Sequence, residues 1–173
     1  MTDLIVRRAS LADIESVSDI LREASDWLVE RGTPMWRENE VHPDAIRADI
    51  EAELFFLATL AGEPAGTLQF QLSDPLFWPE AGSDAAYVHR LAVRRRFAGR
   101  GLSTALLGWA ADRAAAEGRE FLRLDCDAER TRLRGLYERF GFRHHSDRQV
   151  GQYFVARYEY PIPESDAATD SSA

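Results

Sequence analysis

Apolar residues recur along this chain in two rhythms, and the switches between them mark its elements. Leu4 to Arg8 reads as a short strand. Ser10-Leu11-Ala12-Asp13 has the spacing of a capping box, and Ile14, Val17, Leu21, Ala24 and Leu28 follow at helical intervals. Arg31-Gly32-Thr33-Pro34 breaks that helix, and Met35 to Val41, with Trp36, is irregular. His42-Pro43-Asp44 starts a second helix that runs to Ala52. Leu54 to Leu60 and Ala65 to Leu72 are strands joined by the hairpin turn Ala61-Gly62-Glu63-Pro64. Asp74 to Asp84, carrying Pro75, Phe77, Trp78, Pro79 and Gly82, reads as a loop.

Beyond the loop, Tyr87 to Val93 is an apolar and β-branched strand, followed by a glycine-containing turn. A long amphipathic helix opens near Leu102 and ends at Glu117-Gly118. Phe121 to Cys126 is a strand, and Leu133, Leu136, Tyr137 and Phe140 share one face of a helix that Gly141 ends as a C-cap. Phe142 to Arg148 and Val150 to Tyr160 are closing strands. The order β-α-α-β-β-β-α-β-α-β-β predicts an α/β fold with a mixed, largely antiparallel central sheet flanked by helices. Residues 1–160 form one expected domain. Residues 161–173, rich in Pro, Ser, Asp, Ala and Thr, form an expected disordered tail.

The 173 residues suffice to bury a sizeable core in one domain. No run approaches the roughly 18 apolar residues of a membrane span, and the N-terminus lacks the shape of a signal peptide. The single Cys126 excludes an internal disulfide and a cysteine-rich metal site. A soluble cytoplasmic protein is expected, monomeric or homodimeric, with no membrane partner and no metal. The net charge of −8 argues against nucleic acid as a partner and slightly favours cationic small molecules.

Against that acidic background Arg94, Arg95, Arg96 and Arg100 cluster in the turn between strand and helix. Amides at a helix start lack intrahelical partners, and the macrodipole adds positive charge there. Gly99 and Gly101 let the backbone approach a ligand with no Cβ between them. The expected ligand carries phosphates. The spacing Arg96-x-x-Gly99-x-Gly101 is neither the dinucleotide fingerprint nor a P-loop.

It resembles the acetyl-coenzyme A signature Arg/Gln-x-x-Gly-x-Gly/Ala of the GNAT family of N-acetyltransferases. Leu91-Ala92-Val93 is similar to the family's pantetheine-binding strand end, and Leu136-Tyr137-Glu138-x-x-Gly141-Phe142 to its second signature. The resemblance covers residues 3–160, and the element order matches the GNAT fold. It implies that acetyl-CoA is the cosubstrate. Backbone amides between Phe97 and Ser103, across Ala98, Gly99, Arg100, Gly101 and Leu102, would hold the pyrophosphate, with Arg96 of the signature beside them. The main chain of Leu91, Ala92 and Val93 would hold the pantetheine arm as an added half-strand. It also implies an enzyme that acetylates a primary amine of a small-molecule or peptide acceptor by direct transfer. A silent acyl-CoA-binding sensor needs the same cradle, and a nucleotide-binding interaction domain is a third reading.

The resemblance makes the Tyr137 hydroxyl the acid that protonates the departing coenzyme A thiolate; packing in the core is the other reading. An alkylammonium must lose a proton before it attacks, and His89 on the signature strand titrates in the right range. Many family members carry an acidic residue on this strand, whereas Tyr87 stands two positions before His89 here. Glu80, Asp74 or a water chain are alternatives. Strict alternation puts His89 on one face with Tyr87, Leu91 and Val93. Trp36, Phe77, Trp78 and Glu80 lie in segments that flank the family's acceptor site, although core packing also explains the aromatics. Asp125, Cys126 and Asp127 end a strand where the family's sheet splays open, and Cys126 is expected to pack as a small apolar residue. Arg130 replaces the Asn that often contacts the pantetheine arm seven residues before the tyrosine.

Overall fold

Asp13 folds the first corner of the chain. Its carboxylate accepts from the Ser10 amide at 2.8 Å and from both ends of the Arg7 guanidinium at 2.7 and 2.8 Å. Those Arg7 bonds hold the Asp13 carboxyl well below the usual carboxylate range. The capping box turns β1 (Leu4–Arg8) into α1 (Ile14–Glu30). The computed structural model describes residues 3–164. A short α2 (Glu38–Val41), absent from the sequence reading, precedes α3 (Pro43–Glu51). The hairpin β2 (Phe55–Leu60) and β3 (Glu63–Gln71) follows, then β4 (Ala85–Val93), α4 (Leu102–Ala116), β5 (Phe121–Asp127) and α5 (Thr131–Phe140). The chain closes with β6 (Arg143–Val150) and β7 (Tyr153–Pro161).

The seven strands form one sheet in the order β1-β2-β3-β4-β5-β7-β6. β4 and β5 run parallel, and every other neighbouring pair is antiparallel. This is the mixed, largely antiparallel sheet that the element order predicts. Successive residues of β2 serve opposite faces. Phe56 and Ala58 pack with α4 and α5, while Phe55 and Leu57 pack with α1 and α3. Being covered on both sides, β2 reads as a continuous apolar run.

A third small cluster joins Trp78 to Ala85 and Tyr87. The Trp78 ring is 2% exposed, and the guanidinium carbons of Arg123 and Arg157 lie 5.0 and 4.6 Å from its centroid. Arg157 also bonds the Phe77 carbonyl and Glu80. These contacts pin the loop between β3 and β4 onto the sheet.

Strict alternation fails in β4. Ala92 pairs with Thr67 and His89 with Gln69, so Arg90 and Leu91 together oppose Leu68. This is a bulge, and Arg90 takes φ 47° to make it. Ala86 and Val88 before the bulge, and Leu91 and Val93 after it, contact the α4–α5 core. Tyr87 and Ala92 belong to clusters elsewhere. His89, in register with Gln69, points to the α1–α3 face, where Gln69 bonds Asp49 of α3. The expectation that His89 shares a face with Leu91 and Val93 is therefore corrected.

The expected tail boundary also moves. Pro161 pairs with Phe121 at the end of β7, and the Ile162 amide donates to Glu120 at 2.8 Å. The remainder of the expected tail, residues 165–173, lies outside the described residues. Among the described residues, no helix is long and apolar enough to cross a membrane.

Gly66 sets the distance between β3, β4 and α4. A Cβ there would lie 3.0 Å from the Ala92 carbonyl oxygen and 3.0 Å from a Leu106 methyl. The carbonyl belongs to a paired strand and cannot yield. Gly66→Ala is expected to cost about 1–3 kcal/mol, a fall in Tm of about 2–12 °C for a chain of this size by calorimetry.

Candidate active site

β4 and β5 stay in register for three pairs, Ala85 with Phe121, Ala86 with Leu122 and Tyr87 with Arg123. Beyond that they part. β5 keeps its partner β7 all the way to Asp127, and β4 keeps β3 to Val93. The gap opens a cleft of about 730 Å³ that crosses the sheet. The amide of Arg94 donates back to Ala65 of the β3 hairpin at 2.8 Å. By alternation the amides of Val93 and Leu91 face the opposite way, into the gap.

On the α4–α5 face, the turn after β4 ends in Gly99 and Gly101 with φ 75° and 77°. A Cβ at either would meet nothing within 4 Å, so both glycines leave open space before the helix start. The Phe97 and Ala98 amides donate to the carbonyls of Arg94 and Arg95. Among the described residues, no backbone bond is made by the amides of residues 99–104. The expected anion cradle therefore begins two residues later than its sequence limits. Phe97 and Leu102 turn their side chains into the core, and Arg96 pairs with Glu63 at 2.8 Å. Ser103, at the start of α4, lines the cleft.

Tyr137 reaches the cleft from α5, its ring held against Phe142 and Tyr158. It is 6% exposed, yet among the described residues no side chain or backbone group bonds its hydroxyl. A tyrosine that merely packs usually satisfies its hydroxyl within the protein. Burial, with Cys126 and Asp125 adding, pushes its phenol above the usual range, so the hydroxyl keeps its proton. Cys126 is buried beside it, its thiol pushed up to about 12 by burial.

His89 lines the cleft from the other face. Its Nε2 lies 2.8 Å from Asp74 Oδ2. An ionised carboxylate only accepts, so Nε2 carries the proton and Nδ1 presents its lone pair. That Nδ1 is 3.9 Å from Asp125 Oδ2 on β5. Burial pulls the His89 pKa down, but the Asp74 hydrogen bond and the charges of Asp125 and Asp74 outweigh it, leaving a net rise above 6.5. Burial pushes the Asp125 carboxyl up to about 6, despite the nearby His89 and Arg157. The two groups therefore titrate as a coupled pair.

Leu91, Ala92, Val93, His89 and Tyr137 all line this one cleft, as do Trp36 and Phe77. The Phe77 and His89 rings are 5.9 Å apart. Trp78 and Glu80 are not brought there. Trp78 is core, and Glu80 is exposed and paired with Arg157. Arg130 lines the cleft mouth and donates to the carbonyls of Thr33 and Pro34, strapping the loop after α1 to the start of α5. Asp125 carries the polar floor of the cleft and was read only as a strand end. Its signal was the alternation Arg123, Asp125, Asp127 on a strand otherwise apolar.

The family model described as the acetyltransferase (GNAT) family matches residues 18–142. The uncharacterized N-acetyltransferase YesJ of Bacillus subtilis (strain 168) is 32% identical over 139 residues, which span 75% of this chain and 76% of YesJ. A GNAT acetyltransferase structure from Listeria monocytogenes 4b F2365 superposes with a TM-score of 0.73 at 27% identity, covering 90% of this chain and 94% of its own. The PaiA N-acetyltransferase of Thermoplasma acidophilum, solved in complex with coenzyme A, shares the fold at a TM-score of 0.71 and 16% identity, covering 91% of this chain and 99% of its own.

The His89 environment has a direct spectroscopic consequence. Its imidazole is expected to titrate above 6.5 in the folded protein when followed by NMR. Asp74→Asn and Asp125→Asn each remove a charge that favours the imidazolium, so each moves the midpoint to lower pH.

Proposed function

The chain belongs to the GNAT acetyltransferase family, and from that premise we propose that it transfers the acetyl group of acetyl-CoA to a primary amine by direct attack within a ternary complex. One observation carries this reading. A free tyrosine hydroxyl and an oriented histidine meet in the same cleft from opposite faces of the sheet. A silent acyl-CoA-binding module needs the glycine turn and has no use for either group.

Acetyl-CoA supplies the thioester. The residues fit such a cosubstrate: amides 99–104 and the open glycines suit a pyrophosphate, and the free edge of β4 at Leu91 and Val93 suits an amide-bearing arm. The main chain near Val93 polarises the acetyl carbonyl. His89 Nδ1 takes the proton of the acceptor ammonium, and Asp74 holds the imidazole in the tautomer that does so. The amine nitrogen bonds the acetyl carbon as the carbon–sulfur bond breaks, and the Tyr137 hydroxyl gives its proton to the departing sulfur; the nitrogen releases its second proton to solvent as the amide forms, and the tyrosinate takes one back from solvent.

A phenol with a raised pKa looks like a poor donor to a thiolate, whose ordinary pKa is roughly 8–9. Cys126 resolves this. It is a thiol of this protein beside Tyr137, and burial there pushes it up to about 12. A coenzyme thiolate lying against the same buried wall is destabilised by the same cause, so donor and acceptor rise together.

Free-thiol release from acetyl-CoA with a panel of amines tests the function. Release with no amine of the panel removes it. Tyr137→Phe is expected to lower kcat about a hundredfold or more at unchanged acetyl-CoA affinity. The cradle has a matched control. Gly62, in the β2–β3 turn, has φ 80° and open space like Gly101. Gly101→Ala and Gly62→Ala carry equal strain. Only Gly101→Ala is expected to weaken acetyl-CoA binding, by about tenfold or about 1.4 kcal/mol in calorimetry.

A further inference from the structure

Among the described residues, Asp125 Oδ2 is the one carboxylate oxygen that is buried and accepts no hydrogen bond. The Asp125 side chain is 9% exposed, and it lines the cleft. Its cross-strand partner Arg157 does not answer it. That guanidinium turns to Ser146, Glu80 and the Phe77 carbonyl. A buried, ionisable acceptor left open at the floor of a cleft calls for a cationic donor from a ligand.

The cations that line the cleft are all engaged. Arg90 donates to the Glu40 carbonyl at 2.9 Å and lies 3.7 Å from Asp49. Arg130 is held by the carbonyls of Thr33 and Pro34. Five carboxylates, Glu40, Asp49, Asp74, Asp125 and Asp127, line the cleft against these two guanidiniums, so its charge disfavours a carboxylate beside the acceptor's nitrogen. Aromatic and aliphatic side chains line much of the same cleft. Trp36 and Phe77 line the cleft, and Leu76 and Phe154 stand at its edge although 62% and 50% exposed.

We infer that Asp125 seats the ammonium group of the acceptor, which is a cationic primary amine with an apolar body and no carboxylate next to its nitrogen. The inference rests on the acetyltransferase reading above and names the substrate class of that site. One ammonium nitrogen spans the 3.9 Å between Asp125 Oδ2 and His89 Nδ1, donating a hydrogen bond to each. The proton on the second bond moves to Nδ1. The neutral amine stays on Asp125 with its lone pair free, and the new imidazolium lies between the carboxylates of Asp74 and Asp125.

The test uses 2-phenylethylamine as acceptor, phenylalanine as its carboxylated counterpart and 2-phenylethanol as a neutral competitor. The wild-type enzyme is expected to acetylate 2-phenylethylamine with a kcat/KM at least about tenfold above that for phenylalanine. Asp125→Asn is expected to raise the KM for 2-phenylethylamine about tenfold or more, with the KM for acetyl-CoA and the inhibition constant of 2-phenylethanol within about twofold. A variant in which 2-phenylethanol weakens in parallel has lost shape rather than charge, and that overturns the assignment of Asp125. Acetylation of phenylalanine or a peptide N-terminus in preference to 2-phenylethylamine by the wild-type enzyme overturns the substrate class, with the acetyltransferase reading intact. If no amine releases free coenzyme A, both fall together.

Discussion

Two parallel strands that pair for three residues and then part leave main-chain donors and acceptors without partners in the middle of a sheet, and everything functional here depends on that gap. A buried amide or carbonyl with no partner costs about 1–3 kcal/mol. Such an opening survives only if water or a ligand answers it. β4 and β5 avoid collapse because each is held from outside, β4 by β3 along most of its length and β5 by β7 from Phe121 to Asp127. The inner edges then form a slot with peptide-like chemistry. A ligand that enters it must bring amides of its own.

The slot's two rims are fixed by different means. On one side the bulge at Arg90 turns β4 locally, at the cost of a left-handed backbone for a residue with a Cβ, about 1–2 kcal/mol. Arg90 itself holds the strain in place through the Glu40 carbonyl and Asp49, which ties β4 to the α2–α3 segment. The loop before β4 is pinned by Trp78 between Arg123 and Arg157. That leaves Asp74, at the start of the loop, fixed enough to orient His89 while Phe77 stays in the cleft. Trp78 thus serves the site from the core without touching it.

Element order and the glycine turn before α4 were legible because each rests on local signals: a capping box at Ser10, glycines at 62, 99, 101 and 141, and apolar rhythm. What failed were properties that depend on register and on distant partners. Period-two counting cannot see a bulge, so it put His89 on the face of Leu91 and Val93. Nothing local distinguishes Trp78 from Phe77; the difference is made by Arg123 and Arg157, which come from strands far along the chain. The same holds for Glu80, which Arg157 takes away from the cleft. Asp125 looked like the end of a strand because its meaning comes from His89, brought alongside only when β5 docks next to β4. Arg130 was visible as a departure from the family pattern, but its bonds to Thr33 and Pro34 required the fold.

Separation of acid and base by the sheet has a consequence for the proposed cycle. Tyr137 belongs to the α4–α5 core, while His89 and Asp125 face the loop and the α1–α3 side. The proton lost by the amine and the proton gained by the sulfur therefore do not pass through a common side chain. A single residue shuttling between the two would have to cross the reacting carbon itself. Each group instead resets on its own side. Two independent proton exits let the base be tuned by carboxylates without disturbing the acid. That division fits a buried, carboxylate-held His89 on one face and a Tyr137 hydroxyl with no protein partner on the other.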